Sequence, residues 1–128
     1  MRYFTVFAYL LAAVINLAPS VGTLSNAKLT QLYAIPIESA DLALLLRHRA
    51  VLFAIVGGYL FAAAFSKGLR TQAGIAGLVS MVSFILLFVL TGTDNANLLR
   101  VALIDSAAVL VLMLGLATHL LSGRLQRN

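Results

Sequence analysis

Residues 72–90 read QAGIAGLVSMVSFILLFVL, from Gln72 to Leu90, a run of 19 residues without one charged side chain. A helix of about 20 apolar residues matches the roughly 30 Å hydrocarbon core of a bilayer at about 1.5 Å rise per residue. This run is therefore read as a membrane span. Its small residues Ala73, Gly74, Gly77 and Ser80 fall along one stripe, the pattern that lets helix backbones approach each other in lipid.

Working outward, the run is bounded by polar links. Ser66 to Thr71 contains Lys67 and Arg70, and Thr91-Gly92-Thr93-Asp94-Asn95 has the composition of a tight turn. Beyond the turn a second apolar helix is expected over about 96–121, with Ala107, Ala108, Gly115 and Ala117 as small positions. Before the Ser66 link another is expected over 39–65, with Ser39 as N-cap, Asp41 at the positive end of the helix dipole, and Gly57, Gly58 and Ala62 as small positions. A first span is expected over 3–18. Its flanks also carry signal-peptide features, with Arg2 before the apolar run and small residues at Ala18 and Ser20, but Pro19 makes a poor cleavage context, so the segment is expected to remain.

The whole chain agrees with this reading. It has 128 residues, 62% of them hydrophobic and 10% charged, with a mean hydropathy of +1.02. A soluble domain of this size could not bury that much apolar surface. The expectation is one all-α transmembrane domain, an antiparallel four-helix bundle, with an outer loop over 19–38. In that loop Leu24, Leu29, Leu32, Tyr33, Ile35 and Ile37 alternate with polar residues, which predicts one or two turns of interfacial helix and then an extended Ile35-Pro36-Ile37. The loop reads as a connector with its apolar side toward lipid headgroups, or alternatively as a cover over the helices.

Charge gives the expected orientation. With four spans, Arg2, Lys67, Arg70, Arg124 and Arg127 share one side with no acid, whereas Lys28, Arg47, Arg49 and Arg100 share the other with Glu38, Asp41, Asp94 and Asp105. Basic residues are retained on the cytoplasmic side, so both termini are expected in the cytoplasm and the chain in a bacterial inner membrane. The pI near 10.3 is thereby explained by membrane insertion, and nucleic acid is not an expected partner.

Chemistry is constrained more by absence. The chain contains no cysteine, which excludes disulfides, thiolate metal ligands and cysteine nucleophiles. No phosphate-binding glycine loop and no HExxH-type spacing is present, and His48 and His119 lie near opposite ends of their spans, more than about 20 Å apart in height, too far for one haem. No metal or cofactor is expected, and no catalytic residue is assigned beyond His48 as an acid/base candidate.

Ionisable groups at membrane depth are costly unless paired or wetted, so their positions carry the remaining information. Arg49 is 16 residues from Phe65 and Asp105 is 16 residues from Leu121. Both therefore lie about 24 Å from the cytoplasmic boundary, with Asn16 at a similar height. Asn16, Arg47, His48, Arg49 and Asp105 are expected to form a polar cluster, with Asp94, Asn95, Asn97 and Arg100 as its outer rim. Three readings stay open: an Arg49–Asp105 ion pair that fixes helix register, an outward-facing pocket for a lipid or quinone-like ligand, and proton transfer at His48.

The stretches Leu32-Tyr33-Ala34-Ile35, Leu45-Leu46-Arg47-His48-Arg49-Ala50-Val51-Leu52-Phe53 and Asn97-Leu98-Leu99-Arg100-Val101 resemble small bacterial inner-membrane proteins of the DoxX-like group. That resemblance implies four spans and a subunit role beside quinone-linked oxidoreductases or other membrane redox complexes. The cysteines that some of those systems use are missing here, so no thiol chemistry and no site residue is carried over. The function expected is that of a non-enzymatic membrane subunit or ligand binder, with a small membrane enzyme or redox-complex subunit as the alternative. Homo-oligomerisation stays open, and transport by a single protomer is disfavoured by the lack of an inverted repeat or broken helix.

Overall fold

The computed structural model describes residues 2–125. Arg127 of the basic tail, and the side chains of Arg2 and Arg124, lie outside what is described. The described residues form five α-helices and no strand: α1 (Arg2–Leu17), α2 (Asn26–Tyr33), α3 (Ala40–Phe65), α4 (Arg70–Thr91) and α5 (Ala96–Leu125). Short 3-10 turns cover Ala18–Thr23 and Lys67–Leu69. Four stretches, Tyr3–Thr23, Ala40–Phe65, Lys67–Thr91 and Ala96–Gly123, are long and apolar enough to cross a membrane.

Local chemistry sets the ends. Ser39 caps α3 by accepting the Leu42 N–H at 3.1 Å, and Asp41 follows in the first turn. Gly92 ends α4 in the left-handed region at φ +64°, with its N–H on the Phe88 carbonyl. Asn95 then caps α5, its Oδ1 accepting from the Asn97 and Leu98 N–H groups at 2.9 and 3.2 Å. The 19–38 connector contains α2, two turns long, followed by residues 34–39 without regular structure.

α1 packs against α3 and α5, and α4 packs against α5 and α3. The core between them is built from small residues, including Ala8, Ala12, Ala63, Ala73 and Ala108, with Tyr9, Leu60, Met81 and Leu112 as its large knobs. Of the expected small positions, Gly57, Ala73, Gly74, Gly77, Ala108 and Gly115 are buried, while Gly58, Ala62, Ala107 and Ala117 face outward. Gly115 shows why size matters: a Cβ there would stand 2.6 Å from the Ala8 Cβ.

One corner is unlike the rest. Arg70 is only 5% exposed, and its guanidinium donates from Nε to the Ala63 carbonyl at 3.1 Å and from Nη2 to the Ala64 carbonyl at 2.9 Å. The last carbonyls of a helix have no partner within it, so a cation at the end of α3 satisfies two of them and complements the helix dipole. Tyr9 of α1 donates its hydroxyl to the Arg70 carbonyl at 2.6 Å, tying three helices together. Sequence spacing had placed Arg70 in a polar link as a retention charge; its structural use is as a cap for the preceding helix.

Candidate functional site

The site is organised by α2, which lies across the end of the molecule farthest from the α3–α4 turn. Ser25 starts it by accepting the Lys28 N–H at 3.3 Å, and Ala34 ends it in the left-handed region at φ 51°. Leu29 is fully buried beneath it, seated where Gly22 has no side chain.

Polar contacts fasten both ends of α2. Arg47 of α3 donates from Nη2 to the Asn26 Oδ1 at 2.9 Å. At the other end, the Asn95 amide donates to the Tyr33 carbonyl at 2.9 Å, and the Asn97 amide lies 3.4 Å from both the Gln31 and Leu32 carbonyls. These are terminal carbonyls that α2 cannot satisfy by itself. Arg47, Asn95 and Asn97, expected as donors of a ligand cluster and its rim, thus hold the cover in place. Asp94 is exposed and joins none of these contacts.

Beneath α2 is a cavity of about 580 Å³ between α1, the Ala18–Thr23 turn, α2 and α5. Its walls are mostly apolar, with Val14, Ile15, Leu32, Phe53, Val101 and Ile104 among them. Lys28, Gln31 and Arg100, all exposed, stand at its mouth. Asn16 and Asp105 reach it from the interior, at 2% and 7% exposure. Asn16 is occupied: its Nδ2 donates to the Ala12 carbonyl at 2.9 Å, and the Ser80 hydroxyl lies 3.4 Å from its Oδ1.

Asp105 is different. Among the described residues it makes no hydrogen bond and no ion pair. Yet no fully enclosed side-chain nitrogen or oxygen among them lacks a partner, so the Asp105 carboxyl oxygens meet the open space of the cavity. A carboxyl on a residue 7% exposed, opening into a largely apolar cavity, is an arrangement that a ligand donor, or water, would complete.

The expected Arg49–Asp105 contact is absent. Arg49 instead sits among three aromatic rings, its Cζ 5.4 Å from the centroid of Tyr33, 5.1 Å from Phe53 and 4.9 Å from Phe84. Cation–π contact to three rings holds the guanidinium where a direct ion pair would have drawn it toward α5. Phe53 lines both the cavity under α2 and a second space, but Arg49 lines only the second and Asp105 only the first, so the two charges face different voids. They still act on a common neighbour: burial raises the Tyr33 phenol above its usual range, the Arg49 charge opposes that rise and the Asp105 charge adds to it.

His48 is exposed and lines neither space, so the structure does not bring it to Asp105. Among the described residues no three His, Asp or Glu side chains converge. Residue heights do not reveal the three rings around Arg49, those of Tyr33, Phe53 and Phe84. A signal for Phe84 was present, since Ser80, Phe84, Leu87 and Thr91 recur at helical spacing on one face of the third span. Comparison with family models, with curated proteins and with solved structures found no match to this chain.

Proposed function

We propose that this chain is a multi-spanning protein of a bacterial inner membrane, an antiparallel four-helix bundle with both termini cytoplasmic, that binds a lipid or quinone-like amphiphile beneath α2. The observation that carries the reading is Asp105, buried, within electrostatic reach of Arg49 but making no hydrogen bond or ion pair among the described residues, and facing a largely apolar cavity. Apolar walls with a few convergent polar groups are the usual make-up of a small-molecule site.

The chemistry of the site limits what fits. An ionised carboxylate only accepts hydrogen bonds, so it selects a ligand hydroxyl or amine; a protonated one also donates, which would suit a ring carbonyl. A quinol or a hydroxylated lipid meets the first condition and a quinone the second. Lys28 and Arg100 at the mouth favour a ligand whose outer end carries negative charge or acceptor oxygens. A role beside a membrane redox partner is part of the proposal only as what the resemblance to the DoxX-like group implies. Orientation rests on the charge split between the two ends, since the α3–α4 turn carries Lys67 and Arg70 while the acids lie at the α2 end.

The test is to extract the protein gently, identify bound small molecules by mass spectrometry, and compare Asp105→Leu with the parent. A lipid or quinone retained by the parent and lost from a folded Asp105→Leu variant is the expected result. A parent that retains nothing and binds no added quinol or lipid would leave the cavity as an architectural gap. Reporter fusions after Asn128 and within residues 93–95 should report opposite sides of the membrane.

A further inference from the structure

The space around Arg49 is a site of its own. It is a groove of about 430 Å³ between α3 and α4, closed at one end by the turn into α5. Toward the α3–α4 turn these helices touch closely, because Gly77 admits Leu60 and Arg70 holds the end of α3. Toward α2 the groove opens, and Leu52, Leu87 and Thr91 on its edges are exposed on the surface that the span reading turns to lipid.

Arg49 is the single charged residue lining this groove, and among the described residues it makes no hydrogen bond or ion pair. Contact with ring faces leaves the N–H edges of a planar guanidinium available, and those five donors match two oxygens of one phosphate or carboxylate. The Asp105 charge acts on Arg49 only at a distance, so the N–H groups of a guanidinium at membrane depth have no acceptor in contact, and an anion delivered from the lipid side would supply one. Hydroxyls also line the groove: Thr91 and Thr93, and Ser83, whose own proton goes to the Ser80 carbonyl at 3.0 Å. The Thr93 Oγ1 accepts the Asn95 N–H at 3.3 Å, leaving its own proton free to donate. Apolar residues line the groove on both sides of Arg49, Leu52 and Val56 toward the α3–α4 turn and Leu87 and Phe88 toward Thr91, and together they offer an apolar track.

We infer that the α3–α4 groove binds one acidic phospholipid, with the phosphodiester on Arg49 and an acyl chain lying along the apolar track. The guanidinium recognises the phosphate through paired charge-assisted hydrogen bonds, and the Tyr33, Phe53 and Phe84 rings keep it from turning to Asp105. This occupant is distinct from the molecule proposed for the cavity beneath α2, because Arg49 lines only the groove and Asp105 only the cavity.

The experiment is native mass spectrometry of the full chain from detergent micelles titrated with phosphatidylglycerol or with phosphatidylcholine of the same acyl chains. One phosphatidylglycerol should bind at least tenfold more tightly than phosphatidylcholine, and Arg49→Gln should abolish that preference. Because removing Arg49 could disturb folding, Ser83→Leu serves as a second variant: it fills the groove, leaves Arg49 in place, and should weaken phosphatidylglycerol retention while the helical circular dichroism stays unchanged. Equal retention of the two lipids by the parent would overturn the inference. So would a phosphatidylglycerol preference that survives in a folded Arg49→Gln protein or is unaffected by Ser83→Leu. Displacement of the lipid by millimolar inorganic phosphate would also overturn it, since the site would then be one for a free anion.

Discussion

Replacing Arg70 with Met removes two hydrogen bonds while keeping a long, flexible side chain in the same corner. The lost contacts run from Nε to the Ala63 carbonyl at 3.1 Å and from Nη2 to the Ala64 carbonyl at 2.9 Å, in a residue 5% exposed. Leaving a buried carbonyl without its donor costs about 1–3 kcal/mol, so two cost about 2–6 kcal/mol. Removing the desolvated guanidinium offsets part of this, and the net loss expected is about 2–4 kcal/mol. Arg70→Lys keeps the charge near the end of α3 but not the planar fork, so it should recover roughly half. The assay is equilibrium unfolding in mixed micelles, titrating a denaturing detergent against a mild one and following helical circular dichroism and Tyr fluorescence. The Tyr9 hydroxyl bonds the Arg70 backbone carbonyl, which both variants retain, so the series isolates the side chain. An Arg70→Met protein within about 0.5 kcal/mol of the parent would refute the capping argument, as would Arg70→Lys no better than Met.

Two further substitutions probe the packing and the cover. Gly115→Ala places a Cβ 2.6 Å from that of Ala8, which has no rotamer to move away, so a loss of about 1–3 kcal/mol is expected in the same unfolding assay. Gly58→Ala, with nothing within 4 Å of its added Cβ, should be neutral or slightly stabilising; equal effects at the two positions would contradict the close α1–α5 approach. Ala34 sits at φ 51°, where a side chain costs about 1–2 kcal/mol, so Ala34→Gly should stabilise α2 by up to about 1 kcal/mol after its greater unfolded-state entropy is counted. Slower amide hydrogen exchange over 26–34 is the readout, and faster exchange would show that the strained cap is not what limits α2.

By itself the sequence determined the helical class and the spans. An uncharged run such as 72–90 has few stable fates other than a helix in lipid, and the capping residue Ser39 and the turn at Gly92 act through local backbone geometry. It also gave each polar residue an expected height, because helical rise converts residue number into depth. Height alone does not say which way a side chain turns about the helix axis. That was decided by tertiary contacts: the Tyr33, Phe53 and Phe84 rings hold Arg49, while Asp105, expected at the same height, faces a different space. His48, adjacent to Arg49 in sequence, is exposed because the next residue on a helix is rotated by about 100°. Arg70 read only as a loop charge and is also a cap, since the carbonyls it satisfies become its neighbours only when the chain turns back from α3 into α4. The directions of these three side chains follow from contacts between segments distant in sequence or folded back on one another, and those contacts carry no local signature.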